Sequence, residues 1–256
     1  MARPSSRTLP PRLAAVVTWI PPGSRLADIG SDHGLLPAAL IAAENVEFCL
    51  ATELNADRAA KIHRTGGGSN DRLVVRVGDG LAPIRAEDRV DVVTVCGLGG
   101  QTMTELLQRG SSHLEGVRRL VLQPQSHHAR VRAAVEQLRF GIVGEAIVSD
   151  RGRLYTVICA DSDGPRLAES HDLAVARGLV VDDLLHVGPQ LLRAGCPLLS
   201  AYWRWQETRL ARLAADRSVS SVREDLARAR RILEAIGYTA GASSSGPSRN
   251  PETSQR

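Results

Sequence analysis

RLADIGSDHGLLP, residues 25–37, decides the fold. A short apolar run over 25–30 stops at a glycine, and 35–43 then reads as a helix. This is the strand–turn–helix opening of an open α/β sheet, whose first turn faces the ligand. Working outward, 48–54 (FCLATEL) is the next strand and 57–64 the next helix. Residues 66–70 (GGGSN) form a turn, because they lack the lysine and the helix start of a phosphate loop. Strand three is 73–77, ending in Gly78-Asp79-Gly80, and strand four is 90–95 (VDVVTV). Its β-branched composition is that of a strand buried on both faces. It stops at CGLGG, 96–100, before a helix at 101–109. Strand five, 119–122 (RLVL), runs into Gln123-Pro124-Gln125, with a helix over 130–138 behind it. Runs at 142–148 and 154–160, joined around 150–152, make a hairpin that adds one antiparallel strand. Strands alternating with helices imply βαβ units and a doubly wound, Rossmann-like α/β sheet.

After Asp161 the character changes. A polar Gly/Pro linker, 161–166, leads to two Arg-rich helices at 190–215 and 221–236, joined near 216–220. In the first, Leu191, Leu198, Trp205 and Leu213 recur at steps of seven or eight. In the second, Val222, Leu226, Ala229 and Leu233 recur at three or four, as one helical face requires. Two helices with a short connection pair as an antiparallel hairpin. Trp203 and Trp205 are candidates either to stack on bases or to pack between these helices. From residue 239 the Ser/Gly/Pro-rich remainder reads as a disordered tail. The expected organisation is a ligand-binding domain over 1–161, a helical domain over 162–238 and a tail over 239–256.

Composition narrows the function classes. With 43% hydrophobic and 23% charged residues, the 256-residue chain buries a real core, which excludes collagen-like, disordered and disulfide-stapled classes. It has no apolar run of membrane-spanning length and no secretory h-region near its start, so a soluble, cytoplasmic protein is expected. Cys49, Cys96, Cys159 and Cys196 lie far apart with no C-x-x-C pair, which points to reduced, buried thiols and no metal. Net charge is +4, and every cation among the 32 except Lys61 is arginine, whose fork matches phosphate oxygens. Arg3, Arg7, Arg12 and Arg25 precede the first acid, and arginines outnumber acids between 202 and 233.

The carboxyl ends of the strands, where such sheets bind ligands, carry Asp28, Asp32, Glu53 and Asp79. A dinucleotide needs a G-x-G-x-x-G turn around its pyrophosphate. Here the second glycine position is Asp32. At about 4 Å and an effective dielectric near 20, carboxylate and phosphate repel by roughly 4 kcal/mol. S-adenosylmethionine has no phosphate and carries two cations, so the acidic turn favours it over NAD. Glu53 is then expected to take both ribose hydroxyls and Asp79 the adenine amino group. Two plainer readings stand beside these: Asp28 holding loop amides, and His33 as a hydrogen-bonding scaffold.

Taken together, RLADIGSDHGLLP (25–37), ATELN (51–55), VGDGLAPI (77–84), DVVTVCGLGGQTM (91–103), RRLVLQPQ (118–125), GEAIVSDRGRLYTVICA (144–160) and HVGPQLLRAGCPLLSAYWRWQETRL (186–210) resemble the bacterial tRNA (adenine(22)-N(1))-methyltransferases. The resemblance runs from about Arg12 to Ile236. It implies a class I methyltransferase sheet with a coiled-coil-like helical domain that helps hold tRNA. It implies cofactor contacts at Asp28, Gly30, Ser31, Asp32, His33, Glu53, Leu54, Gly78, Asp79, Gly80, Gly97 and Leu98. The chain departs from the family at Gly34-Leu35 (commonly Ala-Tyr), at Leu98 (commonly Met) and at Gln125 (commonly Asn).

Adenine N1 carries its own in-plane lone pair, so methylation there needs no general base. Asp32 is the candidate catalytic carboxylate, beside a base that becomes cationic. Gly99, Gly100 and Gln123 are expected to face the adenine. Arg204, Arg209 and Arg212, with the N-terminal arginines, are expected to grip tRNA phosphates. A monomer is expected, with a weak dimer as the alternative. The competing functions are a class I methyltransferase for another RNA or a small molecule, and a non-catalytic S-adenosylmethionine-binding RNA adaptor.

Overall fold

A computed structural model describes residues 9–65, 71–216 and 220–237. Seven strands form one sheet: β1 (Ser24–Ile29), β2 (Val46–Glu53), β3 (Leu73–Val77), β4 (Val92–Cys96), β5 (Arg119–Gln123), β6 (Gly141–Asp150) and β7 (Arg153–Asp161). Their order is β3-β2-β1-β4-β5-β7-β6. The first five are parallel, and β7 runs antiparallel to both β5 and β6. The order reverses between β1 and β4, so the crevice at their carboxyl ends is the switch point of the fold.

Helices α1 (Pro11–Val17), α2 (Leu35–Ala42) and α3 (Ala56–Thr65) supply one face, and α4 (Gly100–Arg109) and α5 (His128–Gln137) the other. The two-residue period of the strands sorts side chains between them. Ala27, Ile29, Val93, Val95, Leu120 and Leu122 pack toward α4 and α5. Leu26, Cys49, Ala51, Val92 and Val121 pack toward α1–α3. Asp28 and Thr94 alternate with the first set, which places both polar groups on the second face, at the mouth of the sheet. All four cysteines are free, with Cys49 and Cys159 buried and Cys96 and Cys196 partly so.

Beyond β7 lie α6 (His171–Ala176), α7 (Val181–Val187), α8 (Pro189–Arg193), α9 (Leu199–Asp216) and α10 (Ser220–Ala235). The single helix expected over 190–215 is broken. Gly195 takes φ +59 and Pro197 offers no N–H, so the chain turns before α9 starts. The expected stripe is also out of register. α9 buries Leu199, Trp203 and Leu210, whereas Trp205 is 59% exposed. On α10, Ala229, Ile232 and Leu233 are buried, with Val222 and Leu226 packed beside them. The turn at 66–70, the junction at 217–219, Arg3, Arg7 and the tail from 239 lie outside the described residues.

The helices after β7 are fastened to the sheet by a buried ion pair. Arg132 on α5 donates to Glu145 on β6 at 2.7 Å and to the carbonyls of Leu185 and His186 on α7. The second Glu145 oxygen accepts from the Gln190 N–H of α8 at 3.0 Å. Among the described residues, no helix is long and apolar enough to cross a membrane.

Candidate active site

A cleft of about 570 Å³ opens at the switch point. Every position at which the sequence led us to expect a cofactor contact lines it, from Asp28 to Leu98. Gln123 and Gln125 form part of the wall, while Gly99 and Gly100 do not, and Arg204, Arg209 and Arg212 stand apart on α9.

The turn after β1 is built inward. The N–H groups of Gly30 and Ser31 both donate to the Thr52 carbonyl, at 2.9 and 3.0 Å. The Asp32 N–H donates to Glu53 Oε2 at 3.0 Å. None of these three donors is left for a pyrophosphate, which removes the basis of dinucleotide binding at such a turn. Gly30 sits at φ +70 with nothing within 4 Å of where a Cβ would be, so its backbone borders open space. The residues thus fit an adenosyl ligand without phosphates.

Each acid has a distinct setting. Asp28 is buried and, among the described residues, holds no loop amide. It accepts instead from the hydroxyls of Thr94 and Ser31, both at 2.7 Å. Burial raises its pKa, and these two hydroxyls pull it back. Glu53 is also buried, with Oε2 on the Asp32 N–H and Oε1 on the Asn55 N–H at 3.1 Å. Each oxygen keeps lone-pair capacity for a ligand hydroxyl. Asp32 is half exposed and takes φ +49, in the left-handed region. His33 lies 3.4 Å from its carboxylate and is itself 71% exposed. Asp79 is already paired with Arg109, at 2.8 Å, so an adenine amino group would share that carboxylate.

Two arginines that sequence reading overlooked temper the negative charge. Arg109 closes α4 beside Asp79, and Arg58 lies 3.7 Å from Asp32 and 4.0 Å from Glu53. Asn55 Oδ1 accepts the Arg58 N–H and caps α3, so the N-x-x-R spacing was the available signal. The Arg58–Asp32 and Arg109–Asp79 pairs are exposed, and such pairs contribute about 0–1 kcal/mol and yield readily to a ligand. Arg12, expected to grip phosphate, pairs with Asp150 at 3.0 Å and lies over the Tyr155 ring while lining the cleft.

Two loops knit together at the other side of the cleft. The Gly97 N–H donates to the Gln123 carbonyl and side chain, and the Gln125 N–H to the Leu98 carbonyl at 2.9 Å. A Cβ on Gly100 would overlap the Ser126 carbonyl oxygen, so glycine is needed for this approach. Gln123, expected as a substrate contact, is fully buried with both ends of its amide engaged. It holds the loop. Directly after it, His128 Nδ1 lies 3.2 Å from the Tyr202 hydroxyl of α9, a contact no local pattern could reveal.

A family model described as a methyltransferase domain matches residues 9–158. Over 176 residues the chain is 32% identical to the tRNA (adenine(22)-N(1))-methyltransferase of Bacillus subtilis, covering 68% of this chain and 73% of that one. The chain belongs to the tRNA (adenine(22)-N(1))-methyltransferase family. The crystal structure of the B. subtilis M1A22 tRNA methyltransferase TrmK superposes on this methyltransferase with a TM-score of 0.76 at 25% identity. It covers 90% of this chain and 97% of that one. The Mycoplasma capricolum TrmK structure, solved with S-adenosyl-homocysteine, shares the fold at a TM-score of 0.70 and 17% identity. Coverage there is 88% of this methyltransferase and 97% of the other.

Proposed function

We propose that this methyltransferase methylates N1 of adenine 22 in tRNA, with S-adenosylmethionine as the donor. The observation that carries the cofactor is the Glu53 carboxylate, buried at the end of β2 with both oxygens already fixed by backbone N–H groups. A carboxylate so held is preorganised for a ribose diol. Exposed Leu54, which lines the cleft with Asp79, offers apolar surface to a purine face. When bound, S-adenosylmethionine supplies a methyl group on a sulfonium. Asp28 keeps the first turn in place through Ser31 and Thr94.

The nucleophilic nitrogen needs no base, so the residues contribute alignment, worth about 7–11 kcal/mol when reacting groups are held in place. Asp32 stands half exposed at the mouth of β1, where its carboxylate meets the cationic product base. The paired loops at 97–100 and 123–126 form a stiff wall against which the adenine is placed. The helices of 162–238 form the tRNA-gripping domain, with Arg204, Arg209 and Arg212 exposed on α9. A cytoplasmic location follows from this reading, because tRNA is the substrate it assigns.

The deciding experiment incubates the protein with methyl-labelled S-adenosylmethionine and an unmodified tRNA transcript, followed by digestion and nucleoside identification. Label is expected in 1-methyladenosine, and replacing adenine 22 by guanine should abolish it. Label at another position or in another nucleoside overturns the target. No transfer despite cofactor binding points to an adaptor.

A further inference from the structure

α9 presents two tryptophans to opposite environments. Trp203 is 6% exposed, inside the core of the C-terminal helices, while Trp205 is 59% exposed. At about 100° per residue, Leu199, Trp203 and Leu210 fall within roughly 40° of one another. Arg204, Trp205, Arg209 and Arg212 spread over about 140° on the opposite side of the helix. No acid occupies that side between 201 and 215, because Glu207 points elsewhere, to Arg230 at 3.3 Å.

The ring has a defined setting. The Arg209 guanidinium lies 5.8 Å from the Trp205 centroid, a cation–π distance that steadies it. Its other neighbour is Tyr202, at 6.5 Å, whose ring in turn meets His128 edge-on at 6.0 Å. His128 opens α5 directly after the loop whose Gln123 and Gln125 line the cleft. Two aromatic contacts therefore link Trp205 to His128, three residues after Gln125 of the cleft wall.

We propose that Trp205 is a stacking platform for an unpaired nucleobase of the RNA substrate, outside the cofactor cleft. The proposal rests on the tRNA reading above. Extruding an adenine from a stack leaves its neighbour without a partner. An aromatic face flanked by guanidinium groups supplies a new partner to the base and cations to its phosphates. A second copy of the chain is the poorer occupant. In a two-fold dimer this patch meets itself, which sets arginines against arginines.

The test compares wild type, Trp205→Ala and Trp205→Phe as full chains. Affinity for an unmodified tRNA transcript is measured at several salt concentrations, with S-adenosylmethionine affinity and Tm alongside. Trp205→Ala should weaken tRNA binding about ten- to a hundredfold, and Trp205→Phe should recover most of it. Cofactor affinity and Tm should not move, and the slope of affinity against salt should stay the same, because a ring releases no counterions. Arg209→Gln should instead flatten that slope. Wild-type affinity in Trp205→Ala overturns the proposal, as does loss of a sedimenting dimer with tRNA affinity intact. If wild type neither binds nor methylates tRNA, the functional reading falls and the platform with it. If wild type methylates tRNA while Trp205→Ala binds it equally well, the platform alone falls.

Discussion

The backbone N–H of Asp32 and the carboxylate of Glu53 lie 3.0 Å apart, joining the turn after β1 to the end of β2. The contact links two functions that sequence position treats separately, the proposed ribose acceptor and the proposed catalytic carboxylate. It also explains how Asp32 is kept at φ +49, since the donor is held by a buried charged acceptor.

Removing the Glu53 carboxylate should therefore act on the cofactor twice, by deleting the diol acceptor and by releasing the turn. A hydrogen bond to a charged group is worth about 1.5–3 kcal/mol. Glu53→Ala is expected to weaken S-adenosylmethionine binding by tenfold or more in isothermal titration. Glu53→Gln, which keeps one acceptor oxygen, should lose less. Equal affinity in all three proteins would remove Glu53 from the cofactor site.

Asp32 needs a more careful substitution than alanine. A left-handed residue other than glycine carries about 1–2 kcal/mol of strain, so Asp32→Ala mixes a backbone effect with loss of the carboxylate. Asp32→Gly leaves the turn unstrained. Both variants are expected to lower the single-turnover rate of methyl transfer at least a hundredfold at saturating cofactor. Turnover retained in Asp32→Gly with tRNA bound would show that this carboxylate plays no part in the chemistry.

The strands were legible because their side chains obey local rules. VDVVTV can hardly be anything but a central strand, and a carboxylate placed just past a strand end lands in the crevice whatever surrounds it. The short helices α1, α6, α7 and α8 span a turn or two each, too little for a period to emerge. The register of α9 was misread because Trp203 and Trp205 are equally apolar by type, and only packing against α10 distinguishes them. Partners set by tertiary structure were out of reach for the same reason. Arg109 is 30 residues from Asp79, and Tyr202 is 74 from His128. Spacing along the chain carries no trace of either pair.

His128 makes stability depend on pH in a definite direction. Burial lowers its pKa from 6.5 to about 4, the Arg132 charge pushes the same way, and a backbone hydrogen bond at Pro124 opposes both. A histidine depressed in the folded state contributes stability that is complete above pH 6.5 and is lost as pH falls toward 4. The full loss is up to about 3 kcal/mol before screening of the partly exposed ring. Protonation also puts a hydrogen on both ring nitrogens, so that Nδ1 can only donate to the Tyr202 hydroxyl, which itself accepts from Gln206 at 2.8 Å. His128→Asn keeps an acceptor without the titration. Urea unfolding of both proteins between pH 7 and pH 4.5 should show a shallower decline in the variant, and parallel curves would refute the assignment.

The Arg132–Glu145 pair offers a sharper test of how the two halves of the chain cohere. Its side chains are 2% and 0% exposed, so removing one partner strands a buried charge. Arg132→Met should cost about 3–5 kcal/mol in guanidinium unfolding. Adding Glu145→Leu removes the stranded charge and should restore part of that loss. Full recovery is not expected, because the Leu185 and His186 carbonyls lose a partner in both variants and the Gln190 N–H loses its own once Glu145 is replaced. Those three groups belong to the segment running from α7 into α8, whereas Arg132 sits on α5 and Glu145 on β6. Breaking the pair should then loosen the C-terminal helices before the sheet. The expected signature in Arg132→Met is tryptophan fluorescence, which includes Trp203 in the helical core, changing at lower denaturant than far-ultraviolet circular dichroism. Coincident transitions with a loss under 1 kcal/mol would mean that apolar contacts from Ile147 and Leu154 hold the helices without it.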